Sequence, residues 1–480
     1  MKKGVFFCWG VLPGFSKRNY ILAEQNTIHH FRILTIHFKT KQTMDINKAD
    51  EGLKRVVGAP GLAMSIVNVT IGAGIFALPA VVGIQLGAFS IFSYLFCGVM
   101  LAAIMLCYAE IGSRLTTSGG SYAYVETVLG PLAGLIVNWL FFFGWGVLSC
   151  AALMNIIADS LSVLYPVFSN AWIRALLYAL ILGLIVVVNV RGAKQGILFV
   201  QFITIIKVLP LLAIILFGFS HIKTENLHWE HLPSVKTFAD TALVLFFAFA
   251  GFETSLGVSG ELKNPKRTVP LGLLLGGIVI ILIYILLQSV TQGILGDGIV
   301  NFKAAPLAAV ANEIVGPIGG TILLVTAAIA CFGSVSGDVM ATPRMLFAGA
   351  KDGLFPKFLA SVHPRFATPH LAVITYASLI FIFSVSGGFK QLAILASSAI
   401  LLIYLAVIVA MMVLRSRKED VPEKTFKVPG GWLIPLIGIA SIIWLLTSLS
   451  KWELLSTIIF IVLICVGYLG LKKWPVKAIR

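Results

Sequence analysis

Runs of about twenty apolar residues, recurring along almost the whole chain, constrain this sequence more than any other feature. They fall at 60–83, 85–109, 125–157, 171–190, 196–219, 239–260, 269–293, 316–341, 369–386, 389–414, 431–450 and 453–471. A helix of that length crosses the hydrocarbon core of a bilayer. In lipid a spanning backbone must satisfy its own hydrogen bonds, which leaves helices or closed barrels. The runs are long and continuous, not alternating ten-residue strands, so helices are selected. Composition agrees: 58% of residues are hydrophobic and 12% charged, against roughly 25% charged in soluble chains. The expected fold class is an all-α polytopic membrane protein with 12 transmembrane helices.

A net charge of +16 invites a nucleic-acid reading, but the placement of the charges argues against it. With the segment before the first run on the cytoplasmic side, residues 44–59 and the even-numbered loops hold most of the Lys and Arg. Among them are Arg114, Arg191, Lys194, Lys263, Lys266, Arg267, Arg344, Lys351, Arg415 and Arg417. The opposite face holds Arg174, Lys223, Lys236, Lys303, Lys390 and Lys451. This is the positive-inside pattern; it predicts a multi-pass protein of the cytoplasmic (inner) membrane with both termini cytoplasmic. The surplus is topological and implies no nucleic-acid partner.

The six cysteines (Cys8, Cys97, Cys107, Cys150, Cys331 and Cys465) contain no CxxC and lie mostly inside apolar runs. They read as buried free thiols, with neither a disulfide framework nor a metal site. In residues 1–43, Lys2, Lys3 and the run 4–12 imitate the start of a signal peptide. Pro13-Gly14 cuts that run short, no small-residue cleavage site follows, and Met44 is a plausible start of its own. Residues 1–43 are therefore expected to be a disordered tail or an over-extended start, without an assigned function. Residues 44–59 form a cytoplasmic N-terminal segment.

Two runs are interrupted. The first contains Asn68-Val69-Thr70-Ile71-Gly72-Ala73-Gly74-Ile75-Phe76, with Pro79 a turn later; the sixth contains Phe246-Phe247-Ala248-Phe249-Ala250-Gly251-Phe252-Glu253. Glycine weakens a helix interior by roughly 1 kcal/mol relative to Ala, yet in lipid it also allows close helix packing. Taken alone, Gly72 and Gly74 read as packing residues. The pairing changes that reading, because each interruption opens a set of five runs. Five is odd, so the second set enters from the opposite face, and glycine-interrupted segments at matching positions of inverted halves point to a transporter binding site. Unwinding exposes N–H groups that attract a carboxylate and carbonyls that attract an ammonium. A zwitterion with both charges on one carbon suits such a site.

The stretch Ile71-Gly72-Ala73-Gly74-Ile75-Phe76 resembles the first-helix signature of the amino acid–polyamine–organocation (APC) superfamily, and Thr117-Ser118-Gly119-Gly120-Ser121-Tyr122-Ala123-Tyr124 resembles the segment before its third helix. Phe247 to Glu253 and Glu261 to Pro270 are similar to its sixth helix and following loop. Phe332-Gly333-Ser334-Val335 and Pro343 to Pro356 look like its eighth helix and the loop after it. The resemblance covers about residues 50–475. It implies a LeuT-like 5+5 inverted repeat plus two C-terminal helices: repeats at 60–219 and 239–414, an extracytoplasmic loop at 220–238, and a cytoplasmic loop, helices 11–12 and a cytoplasmic C-terminus in 415–480. It also implies an amino acid or related amine as substrate. Gly72, Ala73, Gly74 and Ile75 would offer N–H groups to the carboxylate, Thr70, Phe247 and Ala250 would offer carbonyls to the ammonium, and Phe247 would gate the site aromatically.

Charges inside the runs carry the remaining expectations. Lys207 sits midway along the fifth run, where a lysine costs roughly 3 kcal/mol to insert and so faces a partner or cavity. It reads either as a proton-carrying ammonium or as a fixed strut donating to unwound carbonyls near Gly72. Glu253 follows the second interruption and is expected to sense pH, bind a cationic substrate or pair structurally. Asp338 departs from the aromatic or small polar residue of some relatives, which leaves substrate size and charge open. Asn138, Asn155 and Asp159 read as helix-packing polars, and Glu110 with Arg114 as a loop or gating pair. No catalytic residue, metal or cofactor is expected; the sequence lacks HExxH and a paired-aspartate motif. The functional expectation is a secondary active transporter of amino acids working by alternating access, with proton symport as the first reading. The alternatives are an amino acid/amine exchanger without proton drive and a non-transporting amino acid sensor. Oligomeric state is not legible.

Overall fold

The computed structural model describes residues 57–72, 74–115, 119–191, 197–229, 231–257, 262–351, 355–366, 368–417 and 425–473. The expectations for 1–43, Ala73 and Lys194 lie outside the described residues. Among those described the chain is helical, without β-strands; one isolated bridge joins Val57 to Leu262.

In chain order the helices are α1 (Ala59–Thr70), α2 (Gly74–Leu86), α3 (Ser90–Arg114), α4 (Gly120–Leu129), α5 (Pro131–Leu164), α6 (Ala171–Val190), α7 (Ile197–Gly218), α8 (Val235–Phe249), α9 (Pro265–Leu295), α10 (Pro306–Val315), α11 (Pro317–Lys351), α12 (His370–Ser386), α13 (Phe389–Ser416), α14 (Leu433–Leu446) and α15 (Lys451–Lys473). Eight helical stretches among the described residues are long and apolar enough to cross a membrane, and five shorter apolar helices accompany them. Leu176, Leu180 and Leu184 on α6 and Ile458, Val462 and Val466 on α15 are exposed. Apolar faces of this extent belong against lipid. α5, α8 and α13 are the most enclosed and form the inner wall.

Several boundaries differ from the sequence reading; the second run, 85–109, is shifted to Ser90–Arg114. The third run begins at Pro131, not 125: Gly130 adopts φ +97° and Pro131 opens a new helix, which separates α4 from α5. Glycine tolerates that backbone region, and proline is favoured at a helix start because it has no N–H to leave unpaired. α11 continues ten residues beyond 341, through Pro343, to Lys351. α10 has only ten residues, too few to register as a spanning run. Within α5, the turn widens to a π-helix over Leu140–Val147, a local feature frequent at functional sites.

α1 packs closely on α9. A Cβ at Gly276 would lie 2.7 Å from Cγ2 of Ile66, so only glycine lets the two backbones approach this near.

Candidate functional site

Both interrupted runs are broken where their glycines lie. α1 stops at Thr70, Ile71 leaves helical geometry, and α2 starts at Gly74. α8 stops at Phe249; Ala250 is extended and Gly251 sits at φ +113°, followed by a short 3-10 turn, Phe252–Leu256. An L side chain at Gly251 would be strained, which makes this glycine a conformational requirement. Tyr284 of α9 ties the two breaks together. Its hydroxyl lies 3.0 Å from the Thr70 carbonyl and 2.9 Å from the Ala248 carbonyl, within donating distance of either, and the Thr70 carbonyl also accepts from the Gly72 N–H at 2.7 Å.

Between the breaks lies a cavity of about 280 Å³. The first break contributes Asn68, Val69, Thr70, Gly72 and Gly74, and the second contributes Phe247, Ala248, Ala250, Gly251 and Thr254. The far wall comes from Trp145, Ser149 and Cys150 of α5, Lys207 of α7, and Gly333, Ser334 and Asp338 of α11. The structure thus brings Thr70, Gly72, Gly74, Phe247, Ala250, Lys207 and Asp338 together around one space. Ile75 and Glu253 stand behind the lining, both buried.

The individual environments sharpen the reading. Phe247 lines the cavity with its ring centroid 5.7 Å from Trp145 and 5.8 Å from Phe389, so it belongs to an inward aromatic cluster and not to the lipid face. The Lys207 ammonium is buried and donates to the Asn68 carbonyl. Among the described residues it has no acidic partner within ion-pair distance. Asp338 accepts from the Tyr376 hydroxyl, from the Cys150 thiol at 3.3 Å and from the Thr342 hydroxyl at 2.9 Å. No cation pairs with it among the described residues.

Glu253 acts on the break itself. Its Oε2 accepts from the Gly251 N–H at 3.1 Å and from the Tyr404 hydroxyl at 2.5 Å. Its other oxygen is buried and has no hydrogen-bond partner. A carboxylate held this way braces the unwound backbone from behind while leaving one acceptor open.

Other polar residues lie elsewhere. Asn155 is a packing residue, bridging α5 to the carbonyls of Ser384 and Gly387 at 3.3 and 3.2 Å and accepting from Tyr178 at 3.2 Å. Asp159 pairs with Arg174. Glu110 is fully buried, pairs with Arg114 at 2.7 Å and with Arg415, and accepts from the Val428 N–H at 2.8 Å. The sequence reading found the local pair but not Arg415, which is 305 residues away. It also missed Tyr284, Tyr376, Tyr404 and Trp145. A lone tyrosine inside an aliphatic run, as at Tyr404, is the one signal it offered, because a buried hydroxyl needs a partner. Among the described residues no His, Cys, Asp and Glu cluster could hold a metal ion.

A polytopic helical membrane protein with a cavity between two helix breaks is thus the class defined by fold and site. A sequence model described as "Amino acid permease" matches residues 58–469. The chain belongs to that family, the amino acid permeases of the APC superfamily. It is 28% identical to the serine/threonine exchanger SteT of Bacillus subtilis (strain 168), over 88% of this chain and 98% of that protein. It is 27% identical to the methylthioribose transporter of the same organism, over 88% and 94% respectively. Against the branched-chain amino acid permease BcaP of Lactococcus lactis subsp. cremoris (strain MG1363) the identity is 26%, over 78% and 84%.

Proposed function

We propose that this protein is a secondary active transporter that moves amino acids across the cytoplasmic membrane by alternating access. The observation that carries this reading is the meeting of two broken helices at one cavity. A free amino acid presents a carboxylate and an ammonium side by side, and a broken helix presents N–H groups and carbonyls side by side. In this reading the N–H groups of Gly72, Ala73, Gly74 and Ile75 take the carboxylate, that of Gly72 turning away from the Thr70 carbonyl to which it donates at 2.7 Å. The carbonyls of Thr70, Phe247 and Ala250 take the ammonium, Thr70 sharing its oxygen with Tyr284. Phe247 closes over the substrate, and Asp338 meets its side chain. The helices form a LeuT-like 5+5 inverted repeat, 60–219 and 239–414, with α14 and α15 as the two additional spans.

Lys207 and Glu253 are the coupling groups. A lysine without an anionic partner among the described residues, bonded to a carbonyl beside the first break, links that break's geometry to its own protonation. Proton symport follows if Lys207 sheds and regains its proton during the cycle. Obligatory exchange is the second reading, favoured by the similarity to a serine/threonine exchanger. Purified protein in substrate-free liposomes separates them. Symport predicts accumulation driven by an imposed inward proton gradient; exchange predicts uptake only into vesicles preloaded with amino acid, gradient or no gradient. Absence of both would contradict transport and leave a sensor.

A further inference from the structure

A second cavity lies outside the transport site, in the wall between α3 and α9. Its volume is about 590 Å³, twice that of the central cavity, and it opens on the outer surface of the bundle. Its floor is apolar, built on Met105 of α3 and on Leu274 and Ile278 of α9; the last two are about half exposed. At one end stand Lys266 and Arg267, in the first turn of α9, and Phe426 forms part of the third wall. Among the described residues neither cation has an acidic partner within ion-pair distance. The nearby Glu110 is already engaged by Arg114, Arg415 and the Val428 N–H.

A neighbouring groove provides an internal contrast. It measures about 440 Å³, shares Ile278 of α9, and runs over Met64, Leu209 and Val279 without a charged residue. Both grooves face lipid, but only the first combines an apolar trough with two cations that have no acidic partner among the described residues and with the positive end of a helix at its mouth. A free phosphate would satisfy the cations and leave the trough empty. A neutral lipid would fill the trough and leave the cations unanswered.

We propose that the groove between α3 and α9 binds one anionic phospholipid, its phosphate held by Lys266 and Arg267 and an acyl chain lying along Leu274 and Ile278. The bound lipid braces two junctions. Phe426 belongs to the segment joining α13 to α14, which is fastened to α3 through Ser113 and Glu110. On the other side, the Lys263 N–H donates to the Val57 carbonyl at 2.8 Å, linking the start of α9 to the entry of α1. Occupancy therefore stiffens the frame in which the broken helix moves.

The test is lipid binding to the full-length protein, measured by native mass spectrometry with phosphatidylglycerol and phosphatidylcholine, alongside thermal unfolding in detergent. Each basic group near an anionic surface contributes about fivefold in affinity. The double variant Lys266→Gln/Arg267→Gln should therefore bind phosphatidylglycerol about thirtyfold more weakly, to the level of phosphatidylcholine. Lys266→Arg should retain wild-type preference. Leu274→Trp, which fills the trough and keeps both cations, should also weaken phosphatidylglycerol binding. Unchanged phosphatidylglycerol affinity in the double Gln variant would overturn the proposal. So would inorganic phosphate reproducing the stabilisation at matched concentration, since that marks a small-anion site, or loss of binding in the double variant alone with Leu274→Trp unaffected.

Discussion

The two glycines of the first break look equivalent in sequence, and the structure predicts opposite phenotypes for them. A Cβ at position 74 would lie 3.1 Å from both Cα and Cβ of Ala248 and 3.3 Å from Cδ1 of Phe247. Two of those atoms are held by the α8 backbone and cannot rotate away, so Gly74→Ala must push α2 from α8. Overpacking of this kind costs about 1–3 kcal/mol, a factor of roughly 5 to 150 in the folded ratio. A Cβ at position 72 meets only the carbonyls of Val69 and Thr70, both at 3.9 Å, and Gly72 does not have positive φ. Gly72→Ala should therefore change stability by less than about 1 kcal/mol. Gly72 lines the cavity, however, and one misplaced methyl in a fitted pocket is worth about 1–3 kcal/mol, roughly tenfold or more in affinity. Thermal unfolding and radiolabelled amino acid binding, run on the same detergent preparations, separate the two effects. Gly72→Ala should unfold like wild type and bind weakly; Gly74→Ala should unfold early. A stable Gly74→Ala variant, or full-affinity binding by Gly72→Ala, would refute the assignment of Gly74 to helix contact and Gly72 to the cavity.

Three further substitutions address the charged groups. Lys207→Ala should abolish uptake driven by a proton gradient while retaining counterflow exchange if the lysine is the coupling group; loss of both activities in folded protein would make it a strut, whose bond to the Asn68 carbonyl is worth about 1.5–3 kcal/mol. Glu253→Gln keeps an acceptor for Tyr404 and Gly251, so unfolding should stay near wild type while the pH dependence of uptake disappears; an unaltered pH profile would reduce Glu253 to a brace. Glu110→Ala strands Arg114 and Arg415, both largely buried, and should destabilise by about 3–5 kcal/mol, read as a lowered unfolding temperature.

Much of the architecture was legible because lipid imposes a simple rule: long apolar runs become helices, and breaks need glycine. Gly251 illustrates this: the sixth run reads as interrupted there, and α8 ends two residues before it. Lys207 and Asp338 were noticeable as misfits in apolar runs, and both line the cavity. Their partners were not legible. Asp338 draws on Cys150, Thr342 and Tyr376 from three different helices, and only Thr342 lies within reach along the same helix. Tyr284 appears in sequence as one aromatic among many, and its role exists only because two distant helix ends converge on its hydroxyl. Short helices such as α4 and α10 escaped for a different reason: below about a dozen residues, hydropathy does not separate a helix from a loop.

Counterflow tests the central claim, that the cavity between the two breaks carries an amino acid across the membrane. Liposomes containing the purified protein are loaded with each common amino acid in turn and diluted into the same amino acid at trace radiolabelled concentration. The account predicts saturable label entry for at least one of them, competed by unlabelled substrate, and strongly weakened by Gly72→Ala in protein that remains folded. Label entry no greater than in protein-free liposomes for every amino acid, or wild-type exchange by the Gly72→Ala variant, would contradict it.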